Sequence, residues 1–312
     1  MCFEERLAAI AGMRTQGAAE VGRAAAAALA EWVAAHRGGT SETFLTGLCD
    51  AVVRLAAAKP SMAPPRHIGY RSLRLAARLA DEGQPVDRIR DAVAEWVRGH
   101  GERSRVALDR IAATGAGLLE QGPVVVHSYS ETVLRILEVA AGRRGRLRVI
   151  ATESRPLCEG RQMAERVAAA GHDVTLILDA SLATYLRGAR AALVGADAIG
   201  AAGFVGKTGV LALAVCAAAE QVPYYVAAET SKVLPPPPAD RGSATAPPHL
   251  PDLSTVSLEE SPAEAILGEW MPPPGSTVGR AIFEEVPARY VTGYVTERGL
   301  MPPEEIGALM GA

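Results

Sequence analysis

At 312 residues, 49% hydrophobic and 21% charged with a formal net charge of −3, the chain has the length of one large domain or two ordinary ones and the composition of a packed protein, which excludes wholesale disorder. The near-neutral balance leaves no electrostatic footprint for nucleic acid, and no apolar run reaches the roughly 18 residues that a membrane span needs. Cys2, Cys49, Cys158 and Cys216 have neither zinc nor disulfide spacing, and MCFEERLAAIAGMR carries acids where an export signal carries bases; a cytoplasmic chain with reduced thiols, no metal and no organic cofactor is expected.

Taken in order, apolar residues recur at helical spacing over residues 17–36, 40–58, 69–81, 86–99 and 102–120, with hardly any strand signal between them. The spacing predicts a helical domain over residues 1–120. From there the chain alternates short β-branched runs with helical stretches: PVVVHS (123–128), LRVIAT (147–152), DVTLILDA (173–180), AALVGADAI (191–199) and VPYYVAAE (222–229). Strands apolar throughout and separated by helices imply a parallel sheet covered on both faces. The expected fold class is therefore α/β, an N-terminal helical domain followed by a Rossmann-like domain over 121–312. The run LPPPPADRGSATAPPHLPD (234–252) reads as a Pro-rich insertion, and residues 281–311 as a helical tail.

In sheets of this kind ligands sit beyond the carboxyl ends of the strands. There the sequence places His127-Ser128-Tyr129-Ser130, Glu153-Ser154-Arg155-Pro156 running to Glu159-Gly160-Arg161, Asp179-Ala180-Ser181, Gly195-Ala196-Asp197 and Glu229-Thr230-Ser231-Lys232. The stretch AAGFVGKT (201–208) has three readings. It fits a loose triphosphate loop, but such a loop needs a later strand ending in a magnesium-holding acid, and the strand that follows ends in Glu229 with no aspartate. It could be a plain helix start with a surface lysine. In the third reading Gly206 permits close backbone approach, a helix opens at Lys207, and Lys207 with free amides receives a sugar phosphate.

The runs TESRPLCEGRQMAERVAAAGHDVTLILDAS and LVGADAIGAAGFVGKTGVLALAVCAAAEQVPYYVAAETSK, with IAGMRTQGAAEVGRAAAAAL (10–29) and VTERGLMPPEEI (295–306), resemble the family that joins the alpha, beta and delta subunits of initiation factor 2B with two sugar isomerases. Those isomerases act on ribose 1,5-bisphosphate and on 5-methylthioribose 1-phosphate. The resemblance implies a Rossmann-like C-terminal domain, homodimers built through it, and conversion of an aldose 1-phosphate to a ketose. It carries the isomerases' catalytic aspartate onto Asp197 and their cysteine position onto Ser128, within HSYS. A thiol has an ordinary pKa near ~8.5, whereas a serine hydroxyl needs an adjacent base, so Ser128 cannot simply inherit the role. The family's usual asparagine ahead of the lysine is Gly206 here, and Gln16 stands where the bisphosphate isomerase has a second arginine.

Catalytic roles are thus expected for Asp197 and Ser128, and substrate or phosphate contacts for Arg155, Lys207, Arg14, Gly206 and Lys232. His127, Ser130 and Cys158 are further candidates, with structural readings beside them: a packed histidine, and a small buried thiol. Glu153 and Arg155 could pair with each other, and Lys59 and Arg66 could be solvated charges, although the resemblance puts them over the cleft. Two functions follow: a sugar-phosphate isomerase, or a non-catalytic subunit that binds a sugar phosphate or nucleotide and engages a protein partner.

Overall fold

The computed structural model of the chain describes residues 1–12, 17–37, 39–119, 122–237, 252 and 254–310. It divides into two compact units, the first comprising Met1–Val106, Ser231–Ser257 and Ala308–Ala312, the second Ala107–Thr230 and Leu258–Gly307. The division falls inside a helix, between Val106 and Ala107, and not at residue 120, and two later segments join the first unit.

The first unit is helical: α1 (Phe3–Gly12), α2 (Ala18–Ala35), α3 (Ser41–Ala58), α4 (Ala63–Asp81), α5 (Val86–Arg98) and the opening of α6 (His100–Leu118). Its core is built from Val21, Leu29, Val33, Leu48, Leu55, Ile68 and Ile89, all fully buried at helical spacing. Thr40 and Thr43 cap α3 reciprocally, each side-chain oxygen accepting the other's backbone amide, at 3.2 and 2.9 Å. Helix α4 begins six residues before the sequence predicts, because Pro64 and Pro65 lie in its first turn, where no amide is needed. Lys59 and Arg66 are buried, not solvated. The Arg66 guanidinium donates to the carbonyls of Ala56, Lys59, Met62 and Thr255, which makes it a structural clasp of this unit.

The second unit holds a seven-stranded sheet: β1 (Pro123–Val126), β2 (Arg148–Thr152), β3 (Asp173–Ile177), β4 (Ala191–Gly195), β7 (Tyr224–Ala227), β9 (Gly293–Thr296) and β10 (Gly299–Met301). The order is β10-β9-β7-β4-β1-β2-β3, parallel except for β10. Its connections include α7 (Glu131–Arg144), α8 (Glu159–Ala169), α9 (Leu182–Leu186) and α10 (Val210–Ala219). Ile111 and Ala116 of α6 pack with Val124, Val126, Ile136, Leu137, Val149 and Leu193 in one apolar core. Strands after β1 go to one side of it and β4 to the other, so the order reverses between β1 and β4, where crevices form in such sheets.

Three expectations are corrected here. The run 191–199 is not one strand: it breaks at Ala196-Asp197, and β5 (Ala198–Gly200) leaves for a second, antiparallel sheet with β6 (Gly203–Lys207) and β8 (Phe283–Pro287). Residues 201–208 are a turn and a strand, so neither a triphosphate loop nor a helix opening at Lys207 forms, and Lys207 closes β6 instead. Over its described residues, 281–310, the expected helical tail 281–311 has no α-helix but supplies β8, β9, β10 and short 3-10 turns, with α11 (Ala263–Leu267) before it. Gly293, Gly299 and Pro287 interrupt helical continuation, and the buried run Gly293–Thr296 adds to the sheet beside β7. Residues 238–251 of the Pro-rich segment lie outside the described residues.

Candidate active site

Three residues at the carboxyl ends of β1 and β2 hold left-handed backbone without being glycine: Ser128 (φ 60), Ser154 (φ 60) and Cys158 (φ 57). That geometry costs about 1–2 kcal/mol per residue and persists where hydrogen bonds over-determine it. The bonds are present. Asp179, just past β3, accepts the amides of Ser154 and Arg155 through its two oxygens, both at 2.8 Å. The Cys158 amide donates to the Ser154 carbonyl at 2.9 Å. Arg155-Pro156 is a cis peptide.

Ser128 is fixed by a chain of bonds whose direction can be deduced. The Thr208 carbonyl can only accept, so His127 donates to it from Nε2, at 2.9 Å. Burial pushes the His127 imidazole below its ordinary value of 6.5, and Lys207 acts in the same sense, against Asp179 and the Thr208 carbonyl. The ring is therefore neutral, and Nδ1 accepts the Thr152 hydroxyl at 2.6 Å. Thr152 has no second proton, so Ser154 donates to it at 3.1 Å, and the Ser154 oxygen accepts the Ser128 amide at 2.7 Å. Both nitrogens of His127 are committed, and neither reaches the Ser128 hydroxyl.

What does reach it is Glu159, the first residue of α8. Its Oε2 lies 3.5 Å from Ser128 Oγ, and its Oε1 lies 3.0 Å from Lys207 Nζ. Both charged side chains are nearly sealed from solvent, at 7% and 9% exposure, so neither would be tolerable alone. Lys207 also lies 4.9 Å from the centre of the Phe283 ring, its register partner on β8. Gly160 lets α8 start this close to β2: a β-carbon there would lie 1.7 Å from the Thr152 carbonyl oxygen.

The sequence candidates fall out as follows. Ser128 and Lys207 are brought together through Glu159. Asp197 lies half-buried between β4 and β5, at the strand end adjoining β1, its amide donating to the Val205 carbonyl. Arg155 is exposed, and it does not pair with Glu153, which bonds Arg161. His127 is the structural link described above. Ser130 caps α7 by accepting the Val133 amide at 3.3 Å. Cys158 is half-buried, its thiol pointing to the Pro156 carbonyl at 3.7 Å. Gly206 lies inside β6, where a β-carbon would meet the side chains of Phe204 and Val210, not an approaching ligand backbone. Lys232 is buried in a short turn and is counted with the first unit; Arg14 lies outside the described residues.

The expected phosphate cradle at the start of α10 is occupied by the protein itself. Glu284 Oε1 accepts the amides of Gly209 and Leu211 at 2.7 and 2.8 Å, and the Thr208 amide donates to the Ile282 carbonyl. Sequence reasoning missed Glu284 and, although it placed Glu159 in the polar segment after the second strand, gave it no role. For Glu159 the signal was that position, three residues past Pro156; for Glu284 the only signal would have been recognition of β8. Among the described residues no group of three or more His, Cys, Asp or Glu could hold a metal, and no helix is long and apolar enough to cross a membrane.

Comparison with known proteins agrees with this architecture. The chain is 29% identical over 305 residues to a ribose 1,5-bisphosphate isomerase of Methanocaldococcus jannaschii, covering 97% of this chain and 92% of that one. It is 32% identical over 318 residues to a methylthioribose-1-phosphate isomerase of Pelotomaculum thermopropionicum, covering 95% and 81%. The solved structure of a translation initiation factor eIF-2B from Pyrococcus horikoshii superposes with a TM-score of 0.74 at 27% identity, over 96% of this chain and 97% of that one. The profile of the initiation factor 2 subunit family matches residues 14–303, and the chain belongs to that family.

Proposed function

We propose that the chain is an aldose-ketose isomerase of a ribose-1-phosphate-type sugar phosphate, either ribose 1,5-bisphosphate or a 5-substituted ribose 1-phosphate. The observation that carries the reading is the buried cluster of Ser128, Glu159 and Lys207 at the end of β1, with Asp197 at the end of the neighbouring strand β4. A proton donor or acceptor, a hydroxyl and a cation beside the crevice of a parallel sheet are the groups that moving a carbonyl along a sugar requires. The isomerase relatives lend the substrate class.

In this reading Asp197 removes or relays a proton at the C1-C2 hydroxyls, Ser128 hydrogen-bonds the reacting oxygen, and Lys207 meets negative charge as it develops. Glu284 already fills the start of α10, so within the second unit the phosphate falls to Arg155 at the exposed rim. On the same reading the protein works in the cytoplasm, where its four free cysteines would stay reduced, and as a homodimer. The test is ketose formation from ribose 1,5-bisphosphate, ribose 1-phosphate and 5-methylthioribose 1-phosphate, with Asp197→Asn abolishing turnover while the chain still melts cooperatively. Binding of these phosphates without turnover of any of them sinks the reading.

That outcome would leave the second reading, a non-catalytic subunit that senses a sugar phosphate or nucleotide and engages a protein partner. Ser128 in place of a thiol and the likeness to the Pyrococcus factor favour it. It predicts thermal stabilisation by the ligand alone.

A further inference from the structure

Ser128 needs a base to exchange protons near neutral pH, and the neighbouring histidine is excluded, because its Nδ1 accepts from Thr152 and its Nε2 donates to Thr208. The titratable group that faces the Ser128 hydroxyl is Glu159, 3.5 Å away and buried. The charged neighbours of Glu159 are Lys207, in contact from β6, and Arg161, two residues along α8 and turned away to Glu153.

We propose that Glu159 is the proton store of this site, acting through Ser128; the proposal rests on the isomerase reading above. A substrate hydroxyl passes its proton to Ser128 Oγ while Ser128 passes its own to Glu159 Oε2. One O–H bond breaks and one forms at each transfer, the carboxylate becomes a carboxylic acid, and the substrate becomes an alkoxide. The loss of charge on Glu159 releases the ammonium of Lys207 from its ion pair at the moment an oxyanion appears for it to face. Charge in the buried cluster is conserved throughout, and the return of the proton along the same path resets the pair. Lys207 thereby has two partners in turn, an internal carboxylate at rest and the substrate oxygen during reaction.

The test is steady-state kinetics of the full chain on the sugar phosphate that it turns over. Glu159→Gln keeps the shape and a hydrogen-bonding oxygen but cannot store a proton; kcat should fall roughly 10²- to 10⁴-fold with KM changed less than about 3-fold. Glu159→Asp, which keeps a carboxylate, should recover part of the rate; it guards against a variant that misfolds around an unpaired Lys207. Ser128→Ala should cost about as much as Glu159→Gln, and the double variant no more than either. A Glu159→Gln enzyme with unchanged kcat, a Glu159→Asp enzyme no faster than Glu159→Gln, or losses that multiply in the double variant, overturn the relay while leaving the isomerase reading standing. A wild-type chain that turns over none of the phosphates overturns both.

Discussion

Two glutamates stand at the starts of two helices in the second unit, and they are held in opposite ways. Glu284 meets the first turn of α10 through backbone amides, Gly209 and Leu211, which have no other position to adopt. Glu159, at the start of α8, meets only side chains, the Lys207 ammonium and the Ser128 hydroxyl. A carboxylate bound to main chain completes a helix end and is finished. One bound to side chains can exchange partners, and that makes it available for chemistry. His127 joins the two places, donating to Thr208 just ahead of α10 and accepting from Thr152 at the end of β2.

Several substitutions would break or sharpen this contrast. The largest effect is expected from Lys207→Met, which leaves Glu159 buried without its counter-charge; unfolding in urea should show a loss of about 3–5 kcal/mol. Gly209→Ala comes next, at about 2–3 kcal/mol. Its φ of +110° disfavours any β-carbon, and that carbon would lie 2.4 Å from His127 Cε1, so the link between the two helix starts would be forced apart. Glu284→Gln should cost less, about 1–2 kcal/mol, because the amide oxygen still accepts both backbone bonds. If Glu284→Gln proved as costly as Lys207→Met, the distinction between the two carboxylates would collapse.

Acid provides a fourth, gentler probe. His127 is held below its ordinary 6.5 chiefly by burial, so the unfolded chain binds a proton that the folded one refuses. Stability from this group is present above about pH 6.5 and is lost as pH falls below it, by up to ~1.4 kcal/mol per pH unit. His127→Gln should flatten that slope, measured by thermal melts between pH 7 and pH 5 on the wild type and the variant. His67 and His100, pushed down to about 4 by burial in the first unit, act with the same sign in both proteins and cancel from the difference. The smallest effect belongs to Arg161→Ala. Its pairing with Glu153 is more than half exposed on the arginine side, where solvent screens it, so the variant's thermal melt should overlay that of the wild type.

What could be read from the sequence was whatever repeats locally. The helices of the first unit and the strands at 123, 148, 173, 191 and 224 declare themselves by periodicity or by unbroken β-branched runs. What escaped depends on distant pairing. Phe283–Pro287 is a strand because it pairs with β6, far back in the chain, in a register that sets Phe283 against Lys207 and Pro287 against Gly203. Without β8 there is no reason to stop reading 281–311 as a helix, and no reason to put Lys207 at a strand's end. The candidate site divides in the same way. Ser128, Asp197 and Lys207 could be named from strand ends and the family pattern, whereas Glu159 acquires its meaning only when folding brings its carboxylate to the Ser128 hydroxyl and the Lys207 ammonium. The exposed Arg155 was legible as a cation and illegible as a rim residue.

The absence of a side chain at Gly160 has a consequence for how this protein could change. The first turn of α8 is moored to the last carbonyl of β2 at a separation that even one methyl group would forbid, so the residue just ahead of it inherits its coordinates from the sheet. Position 159 therefore keeps its backbone place, but its charge is matched by Lys207, buried with it, so the two positions must change together. A lineage, or an engineer, could retune the hollow by paired edits at 159 and 207 while the helix start stays where the sheet holds it.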